Sequence, residues 1–221
     1  MATYSEQGGH VAPGRKIGGI SDWVGARAAL PPSSHAPRWP PARLAAVESL
    51  WGTGYLSPGG QAETLRLAKP LGLGTETTLL LLEGGIGGPA EAIADTFGTL
   101  VVSLDADPEL SVIAEQRRAA EPNGRRVRVE NWDRDRPALR RNSAHHAMAL
   151  EALRGAPVAP VLESLAGALR PHGRIVLTEM VADVAPPAAD REFAAWCRLD
   201  NRSPDLPRVD VVTRRADQPA F

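Results

Sequence analysis

One cysteine, Cys197, stands in 221 residues. No disulfide can close within the chain, which suits a reducing compartment. Long apolar runs are missing too: nothing approaches the roughly 18 consecutive apolar residues that a membrane span needs. The opening stretch, MATYSEQGGHVAPGRK, lacks the apolar core of a secretory signal. Nor is there an excess of charge. Lys and Arg number 25 against 26 Asp and Glu, so no strong attraction to nucleic acid or anionic lipid is implied. The arginine pairs Arg125–Arg126 and Arg140–Arg141 read as solvated faces. The expectation left by these absences is a soluble, cytoplasmic protein. Its length fits one domain with an appendage.

What is present changes rhythm along the chain. Residues 1–36 are rich in Gly, Ser, Pro and Ala, with little periodicity, and read as a mobile arm or loosely docked cover. Residues 37–73 carry two short helical patterns, PARLAAVESLW from Pro41 to Trp51 and QAETLRLAKPLGL, joined by the loop GTGYLSPGG. From residue 74 to 200, strands alternate with helices. Thr77–Leu82 is a continuous apolar run, the mark of a strand buried on both faces. Further strands are expected at Leu100–Leu104, Arg126–Glu130, His145–Leu150 and Arg174–Glu179. Helices are expected at Pro89–Phe97, Pro108–Ala120 (with Asp107 as its N-cap), Val158–Leu169 and Asp190–Leu199. RPHG reads as a turn between the last of these crossovers and its strand. The alternation implies right-handed crossovers and a doubly wound, mostly parallel Rossmann-like α/β sheet. Residues 201–221 form a polar, irregular tail in which Val209–Thr213 offers one more strand.

The stretch LLLLEGGIGGPAEAIA concentrates the functional signal. Gly84, Gly85, Gly87 and Gly88 follow the first buried strand and lead into a helix. In such sheets ligands bind beyond the carboxyl ends of the strands, at the switch point. Glycines there let backbone approach a ligand, and the helix offers free N–H groups. Tight packing of strand on helix would also use glycines. Asp105 ends the second strand, 22 residues after Glu83. An acid in that place can accept hydrogen bonds from two ribose hydroxyls. After the third strand, ENWDRD would set Asn131, Trp132 or Asp133 against an adenine, with Trp132 equally suited to a core lid.

Taken together, these pieces resemble the class I S-adenosylmethionine-dependent methyltransferases. GGIGGPA looks like the first motif of that superfamily, VVSLDADPEL like the second, and ALRPHGRIVLTE like the stretch leading into its fifth strand. LWGTGYLSPGG is similar to a loop that lies over the cofactor in a small-molecule branch. The resemblance implies that Gly85 and Gly87 touch the methionyl part of S-adenosylmethionine and that Asp105 holds its ribose. It further implies that Asn131, Trp132 and Asp133 lie near its adenine, and that Tyr55 and Gly59 belong to the covering loop. It implies a small-molecule acceptor and no metal. Where a general base is needed, Glu151 at the end of the fourth strand is the candidate. His145 and His146 sit at that strand's other end. Being adjacent on a strand, they point to opposite faces and make a poor metal pair.

Two departures stand out. Aligned on GIGG, Glu83 occupies the first glycine position of the motif, and Leu81 replaces its acid; in a shifted register Glu83 is itself that acid. The preferred alignment places a side chain where backbone should approach the cofactor, though the carboxylate can attract its ammonium. Second, only about 40 residues follow Glu179, which suits a shortened seven-stranded sheet lacking its last strands. Its open edge would be bare or covered by a dimer mate or other partner. Both departures support an alternative to methyl transfer: a catalytically inactive, methyltransferase-like binding or scaffold protein. A nicotinamide dinucleotide enzyme is a third reading, with GGIGGPAEA as an imperfect fingerprint.

Overall fold

The computed structural model describes residues 39–121, 124–184, 190–200 and 204–216. The arm expected over residues 1–36 lies outside them. Five strands form one sheet: β1 (Thr78–Leu82), β2 (Leu100–Asp105), β3 (Val127–Asn131), β4 (Ala144–Leu150) and β5 (Leu169–Thr178). Their order is β3-β2-β1-β4-β5, and every pairing is parallel. Helices α3 (Gly88–Phe97), α4 (Pro108–Ala120) and α5 (Val158–Ala168) make the crossovers. Before the sheet come α1 (Pro41–Trp51) and α2 (Gly60–Ala68), and after it α6 (Arg191–Leu199) and α7 (Val209–Ala216).

The leucine run explains why β1 lies at the centre. Strand side chains alternate between faces, so an all-apolar strand suits a sheet covered on both sides. Leu80 and Leu82 join Val102, Leu104, Ala147 and Ala149 under Val161 and Leu165 of α5. Leu79 and Leu81 face the other way, with Val101 and Met148, against Ala90, Ile93 and Ala94 of α3. All four leucines are essentially inaccessible. Burying each contributes about 1.5–3 kcal/mol.

Local signals set the helix ends. Gly87, at φ 105°, is the left-handed N-cap of α3, and Gly98 closes that helix. The Asp107 side chain caps α4 by accepting from the Glu109 N–H at 3.0 Å, as expected. Asp190 caps α6 through the Phe193 N–H at 2.9 Å.

Two expectations are corrected. RPHG does not separate helix from strand: β5 already begins at Leu169, and the four residues form a bulge inside it. Ala144 pairs with Leu169, whereas His146 pairs with Arg174. His172 sits at φ 66° in this bulge, and a side chain on Gly173 would come within 2.7 Å of the His145 carbonyl oxygen. The turn chemistry is real, but the sheet absorbs it. The second correction is Val209–Thr213, which is not a strand but the start of α7. Helical spacing lets Val212 pack against the α5 side of the core, a contact that tertiary structure supplies and strand propensity ignores.

His145 and His146 lie at the amino-terminal end of β4, away from the glycine turn. Nδ1 of His145 accepts from the Thr78 N–H at 2.9 Å, and Nδ1 of His146 from the Arg174 N–H at 3.2 Å. Each ring is therefore needed neutral. Burial lowers both pKa values, helped by Arg170 beside His145 and by His145 and Arg174 beside His146. Because the folded values lie below the ordinary 6.5, the stabilisation is complete above that pH. It is lost as pH falls through the folded values. The urea midpoint is expected to drop between pH 7 and 5, with a shallower drop in His145→Asn, whose side-chain oxygen can keep the acceptor role without taking a proton.

Candidate functional site

The order reverses at β1, whose neighbours β2 and β4 lead to opposite halves of the sheet. Beyond the carboxyl ends of these strands lies a cleft open to solvent. It takes Glu83 and Gly85 from the turn after β1, Asp105 and Asp107 from the end of β2, and Leu150 and Glu151 from the end of β4. Trp39, Leu56, Ser57, Leu110, Arg134, Arg154 and Asp200 complete its walls.

Asp105 is 3 % exposed. One of its oxygens accepts from the Gly85 N–H at 3.0 Å and the other from the Asp107 N–H at 2.8 Å. The carboxylate thus ties the glycine turn to the next helix. Burial, and then the charge of Glu83, push its pKa up to about 8, against the two N–H bonds and Arg134, which act downward. Each oxygen carries one N–H in these bonds, and a carboxylate can accept about four hydrogen bonds. Capacity for two more donors remains.

Glu83 has φ 57°, the left-handed backbone that favours glycine. This agrees with its standing at a glycine position of the motif. Its side chain turns toward β2 and β3. Oε1 accepts from the indole Nε1 of Trp132 at 2.7 Å, from Nε of Arg134 at 3.2 Å and from the Ala106 N–H at 3.3 Å. Oε2 bonds Nη2 of Arg134 in a close ion pair. The carboxylate is compensated rather than aimed at the glycine backbone.

The loop before α2 rests on the turn. The Gly88 N–H donates to the Gly54 carbonyl at 3.0 Å, and the Gly54 N–H to Oε1 of Glu48 at 2.6 Å. Leu56 lies over Gly85, where an added Cβ would stand 3.2 Å from Cδ1 of Leu56. Tyr55 is buried against Gly88. Burial, then the Glu91 charge, raise its pKa to about 12, so the phenol stays neutral. Arg117 of α4 reaches Glu91 of α3 at 3.4 Å and Glu48 of α1 at 3.8 Å behind this loop.

The expected residues divide. Glu83, Gly85, Asp105 and Glu151 meet in the cleft. Tyr55 and Gly59 belong to the overlying segment but do not line the cleft, and Gly87 serves as the α3 N-cap. Trp132 is 6 % exposed and packs in the core. Asn131 is exposed at the end of β3. Asp133 accepts from the Asp135 N–H and pairs with Arg136 at 3.5 Å. Sequence reasoning passed over Arg134, which stood inside the quoted ENWDRD. It also missed Arg154, three residues beyond Glu151 and bonded to it at 2.5 Å. Arg154 also meets Asp200 at 3.5 Å. Asp200 carries no local signal, because α6 brings it to the cleft from 46 residues away.

Strand order, switch-point cleft and glycine turn define a Rossmann-like α/β domain with the fold of the S-adenosylmethionine-dependent methyltransferases, which the chain also resembles in sequence. No protein-family model matches it. Phosphoethanolamine N-methyltransferase 2 of Caenorhabditis elegans is 30% identical over 135 residues, 60% of this chain and 31% of the relative. Among solved structures, phosphoethanolamine N-methyltransferase 2 of Haemonchus contortus, in complex with S-adenosyl-L-methionine, superposes with a TM-score of 0.71. It is 21% identical, over 81% of this chain and 41% of that one. Geranyl diphosphate C-methyltransferase of Streptomyces coelicolor A3(2) gives a TM-score of 0.61 at 15% identity, over 70% and 56% of the two chains. The chain thus spans about a third of the curated relative it matches. No helix among the described residues is long and apolar enough to cross a membrane. None of their His, Cys, Asp and Glu side chains form a group able to hold a metal ion.

Proposed function

We propose that this chain binds S-adenosylmethionine and transfers its methyl group to a small-molecule acceptor. The observation that carries the reading is Asp105: buried at the tip of β2, bonded to the glycine turn, with acceptor capacity left for a ribose diol. The surrounding cleft fits the rest. Leu56, Leu110 and Leu150 offer apolar surface. Beside Asp105, four carboxylates (Glu83, Asp107, Glu151 and Asp200) stand against the guanidiniums of Arg134 and Arg154, a balance that favours a cation.

S-adenosylmethionine supplies an already activated methyl group on a sulfonium. The chain has then to position and shield. Gly85 allows close approach of the turn, and Leu56 lies against it. Glu151, at the β4 end of the same cleft, is the acceptor-side carboxylate. Arg154 holds it in place and itself meets Asp200 of the segment after α6. A positioned acceptor reacts faster by reduced entropy loss, on the order of 7–11 kcal/mol of the barrier in favourable cases. The relatives' N-methyl acceptors suggest an amine as the first class to screen.

Calorimetric titration with S-adenosylmethionine and S-adenosylhomocysteine tests the reading, with NADH as the contrast. Micromolar binding of the first two and none of the third is expected. Binding of NADH alone would overturn it. With an acceptor in hand, Glu151→Gln is expected to lower kcat about 100-fold at unchanged S-adenosylhomocysteine affinity.

A further inference from the structure

Glu83 is the residue that departs most from the motif, yet the structure compensates it. Its carboxylate joins the ends of three strands. Glu83 itself follows β1, the Ala106 N–H follows β2, and Trp132 and Arg134 follow β3. Side-chain exposure is only 10% for Glu83 and 23% for Arg134. A left-handed non-glycine backbone is retained to make this connection. With Trp132 drawn into the core and Asp133 turned to Arg136, Arg134 is the residue of ENWDRD that lines the cleft.

Geometry also limits what Arg134 can offer. Nε and Nη2, one edge of its guanidinium, are engaged by Glu83. Swinging that edge toward a ligand would leave the Glu83 carboxylate, little exposed, without its countercharge. What remains for a ligand is the flat face of the guanidinium and its far edge, the two N–H groups of Nη1 and the second N–H of Nη2. Such a face stacks on planar rings, and a lysine ammonium has no equivalent.

We propose that Arg134 is the base-binding wall of this cleft, through its guanidinium face and free Nη1 edge, and that Glu83 is the positioning residue that fixes it there. This rests on the methyl-donor reading but assigns a role which that reading leaves open. It also reverses the simplest view of Glu83. The glutamate does not block the site, and restoring glycine at 83 weakens binding, because Trp132 and Arg134 lose their common acceptor.

A second consequence follows for Asp105. The charged groups beside it are Glu83 from β1, Asp107 from the turn into α4, and Arg134 from the segment after β3. Glu151, Arg154 and Asp200 line the same cleft from β4 and α6. Glu83 pushes the Asp105 carboxyl up, and Arg134 draws it down. Removing the Glu83 charge therefore lets Asp105 ionise at lower pH.

The test titrates S-adenosylhomocysteine and adenosine into the full chain and into Arg134→Lys, Arg134→Met and Glu83→Gln, with thermal unfolding of each. Arg134→Lys keeps a cation for Glu83, so its unfolding temperature stays near that of the wild type. Both ligands nevertheless bind it about 10-fold more weakly, and Arg134→Met loses at least as much. In Glu83→Gln the ion pair that fixes Arg134 is lost, so both ligands bind more weakly, and the pH at which S-adenosylhomocysteine affinity rises moves down. Equal affinity in Arg134→Lys and the wild type, or undiminished affinity in Glu83→Gln, overturns the assignment while leaving the methyl-donor reading intact. A wild-type chain that binds neither probe overturns both.

Discussion

At pH 9, where the Asp105 carboxyl is ionised, Asp105→Ala is expected to lose S-adenosylhomocysteine binding by about two orders of magnitude or more. The reasoning is arithmetic on hydrogen bonds. A bond to a charged acceptor contributes about 1.5–3 kcal/mol, and a diol can make two. Each 1.4 kcal/mol is about tenfold in affinity. Folding should suffer less than binding. The substitution strips acceptors from the Gly85 and Asp107 N–H groups, yet it also removes a carboxyl that burial disfavours in its charged form. That second effect has a definite sign. The folded pKa, about 8, lies above the ordinary 3.8. Relative to alanine, the acid is tolerated best below 3.8, and the advantage is lost as pH rises through 8. Calorimetry at pH 7 and 9, with thermal unfolding at both, separates the two effects. In the wild type, affinity should rise across this interval as Asp105 ionises. An Asp105→Ala variant that binds as tightly as the wild type would remove the central support for a nucleoside site.

Gly88→Ala is expected to be nearly as damaging, through the cover rather than the ligand. A Cβ at residue 88 would lie 2.5 Å from the Gly54 carbonyl oxygen, 2.7 Å from its carbon and 3.0 Å from Cε2 of Tyr55. Two of those atoms are backbone, so no side-chain rotation relieves the clash. The loop must lift, and the bond from the Gly88 N–H to Gly54 breaks. Overpacking of this kind costs about 1–3 kcal/mol. Residue 88 already has helical backbone in α3, so the cost reports contact and not strain. Hydrogen exchange is the discriminating measurement: amides across residues 52–59 should exchange much faster in the variant, whereas those of β1 and β2 change little. S-adenosylhomocysteine should dissociate faster too, since Leu56 no longer covers Gly85. If exchange in the loop is unchanged, the cover is not held by this contact.

The Glu83 and Arg134 variants bear on how the site was legible at all. Glycines after an apolar strand and an acid at the next strand tip are separated by short, regular distances, so Gly85 and Asp105 could be read from spacing. Glu151 could be read because β4 ends there. By contrast, Arg134 lines the cleft while its neighbour Trp132 packs in the core. Nothing in ENWDRD distinguishes which of its side chains turns inward. Arg154 and Asp200 meet only because α6 folds back across the end of β4.

By itself the sequence determined the β1–α3–β2–α4 unit, the parallel sheet around it and the carboxyl-end location of the cleft. Those features depend on local pattern: an all-apolar strand, glycine backbone freedom and capping residues act within a few positions of themselves. Tertiary structure decided three things. Val209–Thr213 became the start of a helix because Val212 finds its neighbours on the α5 side of the core. RPHG became a bulge because β4 pairs on both sides of it. Glu83 became a compensated anion because Arg134 and Trp132 arrive from about 50 residues away. Each outcome is set by contacts between distant segments, whose energies no local window of the chain contains.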